Sequence, residues 1–219
     1  MADREPVGVL GGTFDPVHFG HLVIAEQARE RLGLRRIWFL PCAVPPHKDP
    51  VGVASAEHRA AMIAAAIARR PGLELCDFEL RTGIVQYTID TLRALRRAPF
   101  HVNPVFLLGF DSLAELPTWR LHTALLTEFD LVVVDRPDDP RGTARLAPEV
   151  VRVLTQAPSD AESCARIGLG RGGRVFRLPV PPTPISSHVV RARAAAGDSL
   201  AGLVPDSVAR YIQDKHVYR

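Results

Sequence analysis

The sequence predicts an α/β fold, an open and mostly parallel doubly wound sheet followed by a small helical C-terminal part. Short apolar runs of strand length alternate along the chain with longer segments that have the periodicity of helices. Several of these runs are continuously apolar, which is typical of parallel strands that are covered on both faces. At 219 residues, of which 47% are hydrophobic, the chain is long enough to bury such a core as one domain.

The position of each element follows from this periodicity and from the turn residues that flank it. Strands are expected at residues 7–10, 36–41, 73–80, 104–109, 129–135 and 175–180. Helices are expected at residues 22–29, 57–70, 87–96, 116–126, 185–196 and 205–215. A loop-rich segment, residues 138–173, holds at most one short helix at 148–155. We divide the chain into an α/β core, residues 1–182, and a C-terminal helical part, residues 183–219, which together form a single compact unit.

Charge and cysteine content exclude several classes of protein. The formal net charge is +3 and the arginines are spread along the chain, which favours small anionic ligands at least as well as nucleic acid. We expect small-molecule partners and no nucleic acid. Cys42, Cys76 and Cys164 lie far apart without a C-x-x-C pair, which argues against a disulfide framework and against a zinc site. Without a signal peptide or an apolar run of about 20 residues, we expect a cytoplasmic protein with no membrane partner. A homo-oligomer remains open.

Residues 7–21 carry the strongest functional signal. An apolar run ends there at Gly11 and Gly12, and the following turn leads into a helix. Backbone N–H groups at a helix N-terminus lack partners, and the helix dipole favours an anion there. Glycines let a phosphate approach the main chain, and His18 and His21 fall on one side of the first helical turn. The pattern predicts a phosphate site, with a glycine-rich turn and two ordinary histidines as the alternative.

Further polar residues follow predicted strands, and ligands of open parallel sheets bind outside the carboxyl ends of the strands. The residues expected to meet at this edge are His18, His21, Lys48, Asp111 and Arg136. A second candidate phosphate cradle consists of Ser186 and Ser187 at a helix start, with Arg191 about one turn inside. Its alternative is a plain N-cap with a surface arginine. Trp119 either stacks on a flat heterocycle or fills the core.

The opening motif resembles the signature of a known family. Residues 11–21 match the pattern G-G-T-F-D-P-x-H-x-G-H of the nucleotidyltransferases that include the nicotinate-mononucleotide adenylyltransferases. Later segments are similar to this family's motifs: Pro45–Lys48, Tyr87–Leu92, Leu108–Ser112, Leu116–Trp119, Arg136–Pro137, Ile185–Ser187 with Arg191, Val204–Asp206 and Tyr218–Arg219. The resemblance therefore covers nearly the whole chain and implies a Rossmann-like fold.

The resemblance also implies roles for individual residues. The catalytic residues, which would contact ATP or transition-state phosphates, are His18, His21, Lys48 and Arg191. Together with the residue pattern, it assigns to ATP binding Gly11, Gly12, Thr13, Phe14, Gly109, Asp111, Arg136, Ile185, Ser186 and Ser187. The acceptor would be bound by Asp15, Tyr87, Thr88 and Trp119. Mg²⁺ would accompany ATP, and no protein metal ligands are expected.

The implied reaction joins ATP to nicotinate mononucleotide and gives deamido-NAD, a precursor of NAD, and pyrophosphate. The residue types suit it, because adenylyl transfer needs positioning and charge neutralisation and no protein nucleophile. One alternative keeps the fold but uses nicotinamide mononucleotide or another phosphorylated cofactor precursor as acceptor. The other is a nucleotide-binding regulator without turnover. Residues 84–86, Phe110 and His188 depart from the family pattern, and 84–86 lie near the expected base pocket.

Overall fold

The fold is given by a computed structural model, which describes residues 4–43, 52–82, 86–135, 169–181 and 183–218. Within these residues six strands form one sheet: β1 (Pro6–Gly12), β2 (Ile37–Pro41), β3 (Leu73–Leu75), β4 (Asn103–Gly109), β5 (Asp130–Asp135) and β6 (Val175–Pro179). Their order across the sheet is β3-β2-β1-β4-β5-β6. The pairs β1–β4, β4–β5 and β5–β6 are parallel. The predicted open, parallel α/β sheet is confirmed.

Helices connect the strands in the described part of the chain. They are α1 (Phe19–Arg31), α2 (Ala56–Ile67), α3 (Phe78–Thr82), α4 (Thr88–Leu95), α5 (Phe110–Glu115), a 3₁₀ helix (Leu116–Thr118), α6 (His122–Glu128), α7 (Ser187–Ala196) and α8 (Asp206–Asp214). None of these helices combines the length and the apolar character that crossing a bilayer requires.

The continuous apolar runs become buried strands, as expected. Every residue of β2 is buried, and so are residues 104–108 of β4. Leu107 of β4 is in register with Leu10 of β1 on one side and with Val132 of β5 on the other. Burial of such side chains contributes roughly 25 cal/mol per Å² of apolar surface removed from water. The apolar runs therefore supply the driving force for the sheet.

The described residues divide into two units. The first comprises the described residues within Met1–Leu10, Gln27–Ile37 and Tyr87–Pro182. Within it, the fully buried carboxylate of Asp130 accepts hydrogen bonds from the Gly170 N–H at 2.7 Å and from Arg174 Nη2 at 2.8 Å. A buried carboxylate is stable only with such donors. Asp130 thus fixes the start of β5 to the residues that lead into β6.

The second unit comprises the described residues within Gly11–Glu26, Trp38–Gln86 and Thr183–Arg219. Here α8 packs against α2: Tyr211 Oη lies 3.0 Å from His58 Nδ1, and Ser207 Oγ donates to the Ala65 carbonyl at 2.8 Å. The C-terminal segment is thereby fixed within this unit. The division of the chain at residue 182 into a core and a helical part, joined as one unit, stays a prediction.

The predicted strand at 73–80 is wrong beyond its first residues. The strand ends at Leu75, and Phe78–Thr82 forms the short helix α3. Partial alternation over so few residues fits both periods, so the pattern alone does not separate strand from helix there.

The predicted helix at 116–126 is also wrong in part, because it is interrupted. A 3₁₀ turn ends at Thr118, and α6 begins only at His122. Between them Leu121 adopts a left-handed conformation with φ of 51°, which stops the α-helical path. A leucine gives no sequence signal for such a break. The short helix predicted at 148–155 lies outside the described residues.

Candidate active site

The glycine-rich motif folds into a tight turn between β1 and α1, within the second unit. Phe14 has a positive φ of 50° and is 2% exposed, and its ring lies edge-on to the His21 ring with centroids 4.9 Å apart. A Cβ on Gly12 would lie 3.2 Å from the Phe14 ring. Glycine at position 12 therefore leaves room for Phe14, which in turn supports His21. Direct contacts of Gly11, Gly12, Thr13 and Phe14 with ATP stay predictions.

The two motif histidines contact each other directly. Their rings are stacked with centroids 3.8 Å apart, and the backbone N–H of His18 donates to His21 Nδ1 at 3.2 Å. Because Nδ1 of His21 accepts this bond, the proton of the neutral ring is on Nε2. The N–H group of His21 therefore lies on the side of the ring away from this backbone contact.

Gly20 is a residue that the sequence reading missed. It lies in α1 between the two histidines, and a Cβ there would come within 3.0 Å of His18 Nδ1 and Cε1. A glycine in the first turn of a helix, next to two motif histidines, is the available sequence signal. Its lack of a side chain lets the His18 ring lie over the helix.

The second candidate cradle lies beside the motif turn. Ser186 is the N-cap of α7, and its hydroxyl accepts from the Val189 N–H at 3.3 Å. Ser187 Oγ donates to the carbonyl of Pro16 at 3.0 Å. Arg191 Nη1 donates to the carbonyl of Asp15 at 2.7 Å. The structure thus ties Ser187 and Arg191 of α7 to the turn that carries the histidines, while phosphate binding by Ile185, Ser186 and Ser187 stays a prediction.

Asp15 is the centre of this turn. It is 3% exposed, and its Oδ1 accepts from the Ala54 N–H at 3.1 Å and from Tyr218 Oη at 2.7 Å. Its Oδ2 lies 3.5 Å from Arg191 Nη1. The sequence analysis assigned Asp15 to binding of the acceptor, and that role stays a prediction. In the structure its carboxylate is already occupied by protein donors.

Arg59 is a second residue that sequence reasoning missed. It is 1% exposed on α2 and donates to three carbonyls, those of Thr13 at 2.9 Å, Ala43 at 3.0 Å and Ala54 at 3.1 Å. A buried guanidinium needs such acceptors to offset the loss of water. Arg59 therefore holds the motif turn against the chain on both sides of residues 44–51. An arginine inside an alanine-rich helix gave no signal of this role.

The remaining expected site residues that are described lie in the first unit, where β4 ends. Gly109 is exposed and is the N-cap of α5, and a Cβ there would meet no atom within 4 Å. Asp111 is exposed in the first turn of the same helix. Both lie at the carboxyl end of a parallel strand, as the sequence predicted. Their contacts with ATP stay predictions.

The expected acceptor residues Trp119, Tyr87 and Thr88 are also in the first unit. The half-buried Trp119 ring lies edge-on to Phe106 with centroids 6.2 Å apart, and its buried Nε1 has no hydrogen-bond partner among the described residues. Buried indole N–H groups usually have a partner. Tyr87 is 47% exposed and is the N-cap of α4, which begins at Thr88. The three acceptor roles stay predictions.

Lys48 and Arg136 lie outside the described residues, so their expected roles stay predictions. In the described ranges no group of three or more His, Cys, Asp or Glu side chains could hold a metal ion. Cys42 and Cys76 are free thiols, and burial raises the pKa of both, so neither suits a nucleophilic role. The expectation that His18, His21, Lys48, Asp111 and Arg136 meet at one edge of the sheet stays a prediction.

Comparison with known proteins indicates the same family as the sequence motifs do. A family model described as cytidylyltransferase-like matches residues 9–193. A protein of Symbiobacterium thermophilum named "Probable nicotinate-nucleotide adenylyltransferase" is 42% identical over 97% of this chain and 94% of its own length. A protein of Aeromonas hydrophila with the same name is 38% identical over 99% of this chain and 98% of its own length.

A solved structure has the same fold at low sequence identity. Plasmodium falciparum nicotinic acid mononucleotide adenylyltransferase complexed with NaAD aligns with a TM-score of 0.73 and 16% identity, covering 98% of each chain. Taken with the full-length relatives and the family match, these findings show that the chain belongs to the cytidylyltransferase-like family and, within it, to the nicotinate-nucleotide adenylyltransferases.

Proposed function

We propose that this protein transfers the adenylyl group of ATP to nicotinate mononucleotide, which yields deamido-NAD and pyrophosphate in NAD biosynthesis. The observation that carries the proposal is the tie between α7 and the motif turn, because it holds Arg191 at the turn that bears His18 and His21. Two imidazoles on the turn and a guanidinium bonded to it from α7 are suited to binding a polyphosphate. The names of the full-length relatives support this reaction.

The reaction is an in-line displacement. A phosphate oxygen of the acceptor attacks the α-phosphorus of ATP, the bond from that phosphorus to the bridging oxygen breaks, and pyrophosphate takes the electron pair. His18 and His21 would donate hydrogen bonds to the phosphates, and Arg191 would balance the charge that develops on pyrophosphate. Lys48 and Arg136 would add further positive charge. No covalent bond to the protein forms at any stage.

Other expected site residues would bind the nucleoside ends of the two substrates. Gly109, at the exposed end of β4, lets adenosine approach the backbone, and Asp111 would accept hydrogen bonds from ribose hydroxyls. Trp119 would stack on the nicotinate ring, with Tyr87 and Thr88 beside it.

We expect Trp119→Ala to raise the KM for nicotinate mononucleotide far more than the KM for ATP in steady-state assays. Equal increases would mean that Trp119 only fills the core.

Mg²⁺ would be carried by the triphosphate. Mg²⁺ keeps several waters and is commonly bound through substrate phosphates, so it needs few ligands from the protein. The ion would supply neutralisation of phosphate charge when it is bound. The substrates are small molecules, and the reaction needs neither nucleic acid nor a membrane. A cytoplasmic location suits the free thiols of Cys42 and Cys76.

Pyrophosphate release tests the proposal and separates it from its alternatives. Purified protein is mixed with ATP, Mg²⁺ and, in turn, nicotinate mononucleotide, nicotinamide mononucleotide or another phosphorylated cofactor precursor. The proposal requires kcat/KM to be highest with nicotinate mononucleotide. Preference for another acceptor would support the alternative enzyme, and ATP binding without release in any mixture would support a regulator.

A further inference from the structure

The last described residue of the chain reaches the motif turn. Tyr218 follows α8, and its hydroxyl donates to Asp15 Oδ1 at 2.7 Å, across 203 positions in the sequence. Two features fix its position: Val217 beside it is 7% exposed, and the Val217 N–H donates to the Ile212 carbonyl at 3.1 Å. The tyrosine is therefore anchored by the core of its own unit rather than by a loose chain end.

The hydroxyl of Tyr218 is a donor at neutral pH. Burial, the negative charge of Asp15 and the hydrogen bond to Asp15 all raise the pKa of Tyr218, so the phenol keeps its proton there. Asp15 Oδ1 accepts this bond together with the bond from the Ala54 N–H. With Oδ1 held by two donors, the carboxylate has a fixed orientation.

This orientation determines how Asp15 faces Arg191. Arg191 Nη1 donates to the Asp15 carbonyl at 2.7 Å and lies 3.5 Å from Oδ2, which is too long for a strong pair with the carboxylate. Among the described residues only Nη1 of this guanidinium is bonded, and the side chain is 31% exposed. The other N–H groups of Arg191 are thus available to a phosphate.

We propose that Tyr218 is a positioning residue for ATP binding: by holding the Asp15 carboxylate, it keeps Arg191 from closing onto Asp15 and leaves its guanidinium directed at the triphosphate. This inference rests on the proposed role of Arg191 in the reaction. Without the Tyr218 hydroxyl, Oδ1 would lose a charge-assisted bond, and the carboxylate would rotate to form a two-pronged pair with Arg191. Fewer N–H groups would then reach the phosphates.

Direct measurement of ATP affinity tests this proposal. For Tyr218→Phe, we expect the Kd for ATP with Mg²⁺, measured by isothermal titration calorimetry, to rise about tenfold, the scale of one hydrogen bond to a charged group. Tyr211→Phe is the matched control, because it removes a hydroxyl contact to His58 in the same unit without touching Asp15. Its Kd should stay within about twofold of the parent protein.

A double mutant separates positioning from general damage. If Tyr218 acts through Arg191, then Tyr218→Phe adds nothing to the weakening caused by Arg191→Ala. Any of three results would overturn the proposal. The effects of Tyr218→Phe and Arg191→Ala on the Kd for ATP could multiply in the double mutant, the Kd could be unchanged in Tyr218→Phe, or Tyr211→Phe could weaken ATP binding as much as Tyr218→Phe does. The titration needs no turnover: ATP binding by the parent protein without pyrophosphate release would contradict the proposed reaction alone, whereas absence of ATP binding would overturn both.

Discussion

The chemistry of His21 depends on its neighbours in the turn. The bond from the His18 N–H selects the tautomer with a proton on Nε2, and the rings of Phe14 and His18 fix the plane of the imidazole. A donor held in place before the ligand arrives loses little entropy on binding, which is the requirement for stabilising a transition state. The motif is therefore more than a set of suitable residue types, since its packing decides where the donors point.

The role of His18 leads to a prediction about turnover. Replacing His18 by Ala would remove one proposed phosphate donor and the stacking partner of His21, so we expect kcat to fall by about 100-fold or more. Circular dichroism should show an intact fold. His122→Ala, which changes a histidine at the start of α6, is the control and should keep the parent kcat. An unchanged kcat in His18→Ala would remove this residue from the mechanism.

Gly20 allows a sharper test, because its replacement changes position and not chemistry. In Gly20→Ala, the new Cβ would press on the His18 ring, and a shift of a few tenths of an ångström should lower kcat by about tenfold. Alanine favours a helix over glycine, so the melting temperature should not fall. A normal kcat in a protein of normal stability would contradict the proposed contact.

At the scale of elements, α2 serves the site through one buried side chain. Arg59 donates to the carbonyls of Thr13, Ala43 and Ala54. It thereby connects the turn after β1, the residues just after β2 and the residues before α2. Sequence patterns predicted the helix α2, whose N-cap Ser55 accepts from the His58 N–H at 3.3 Å. They did not predict the contacts of Arg59, because hydrogen bonds to distant carbonyls leave no periodic signal.

Arg59 is expected to dominate the stability of this region. Arg59→Met leaves three carbonyls without their donor, and we expect the free energy of unfolding to fall by about 3 kcal/mol or more. Urea denaturation followed by circular dichroism measures this loss. Arg69→Met, at an exposed arginine just after α2, is the control and should change the free energy by about 0.5 kcal/mol or less. Equal effects of the two substitutions would show that the three bonds contribute little.

At the scale of the whole molecule, the proposed reaction would use Mg²⁺ carried by ATP, and the described residues contain no group of three or more His, Cys, Asp or Glu side chains that could hold a metal ion. We expect excess chelator to abolish pyrophosphate release and added Mg²⁺ to restore it. Titration of Mg²⁺ into the protein without nucleotide should give no tight binding, because ATP supplies the phosphate oxygens that hold the ion. Turnover that persists in chelator, or tight Mg²⁺ binding without ATP, would contradict this assignment.

Much of the fold could be predicted because it depends on residue patterns that are local in the chain. Apolar runs gave the strands β2, β4, β5 and β6 to within a residue or two, and the Ser-rich start of α7 gave its N-cap at Ser186. Local patterns failed where tertiary contacts overrode them. One example is the left-handed conformation of Leu121, and another is the early end of β3 at Leu75. No residue type at either place predicts the change.

The sequence by itself determined the alternation of strands and helices, the positions of the glycines and histidines after β1, and the family, because each of these depends on residues close together in the chain. Only the tertiary structure decided that Asp15 would receive the hydroxyl of Tyr218 and face Arg191. The physical reason is that a buried carboxylate must find donors wherever the folded chain brings them. Those donors come from positions far apart along the chain, where no spacing rule connects them.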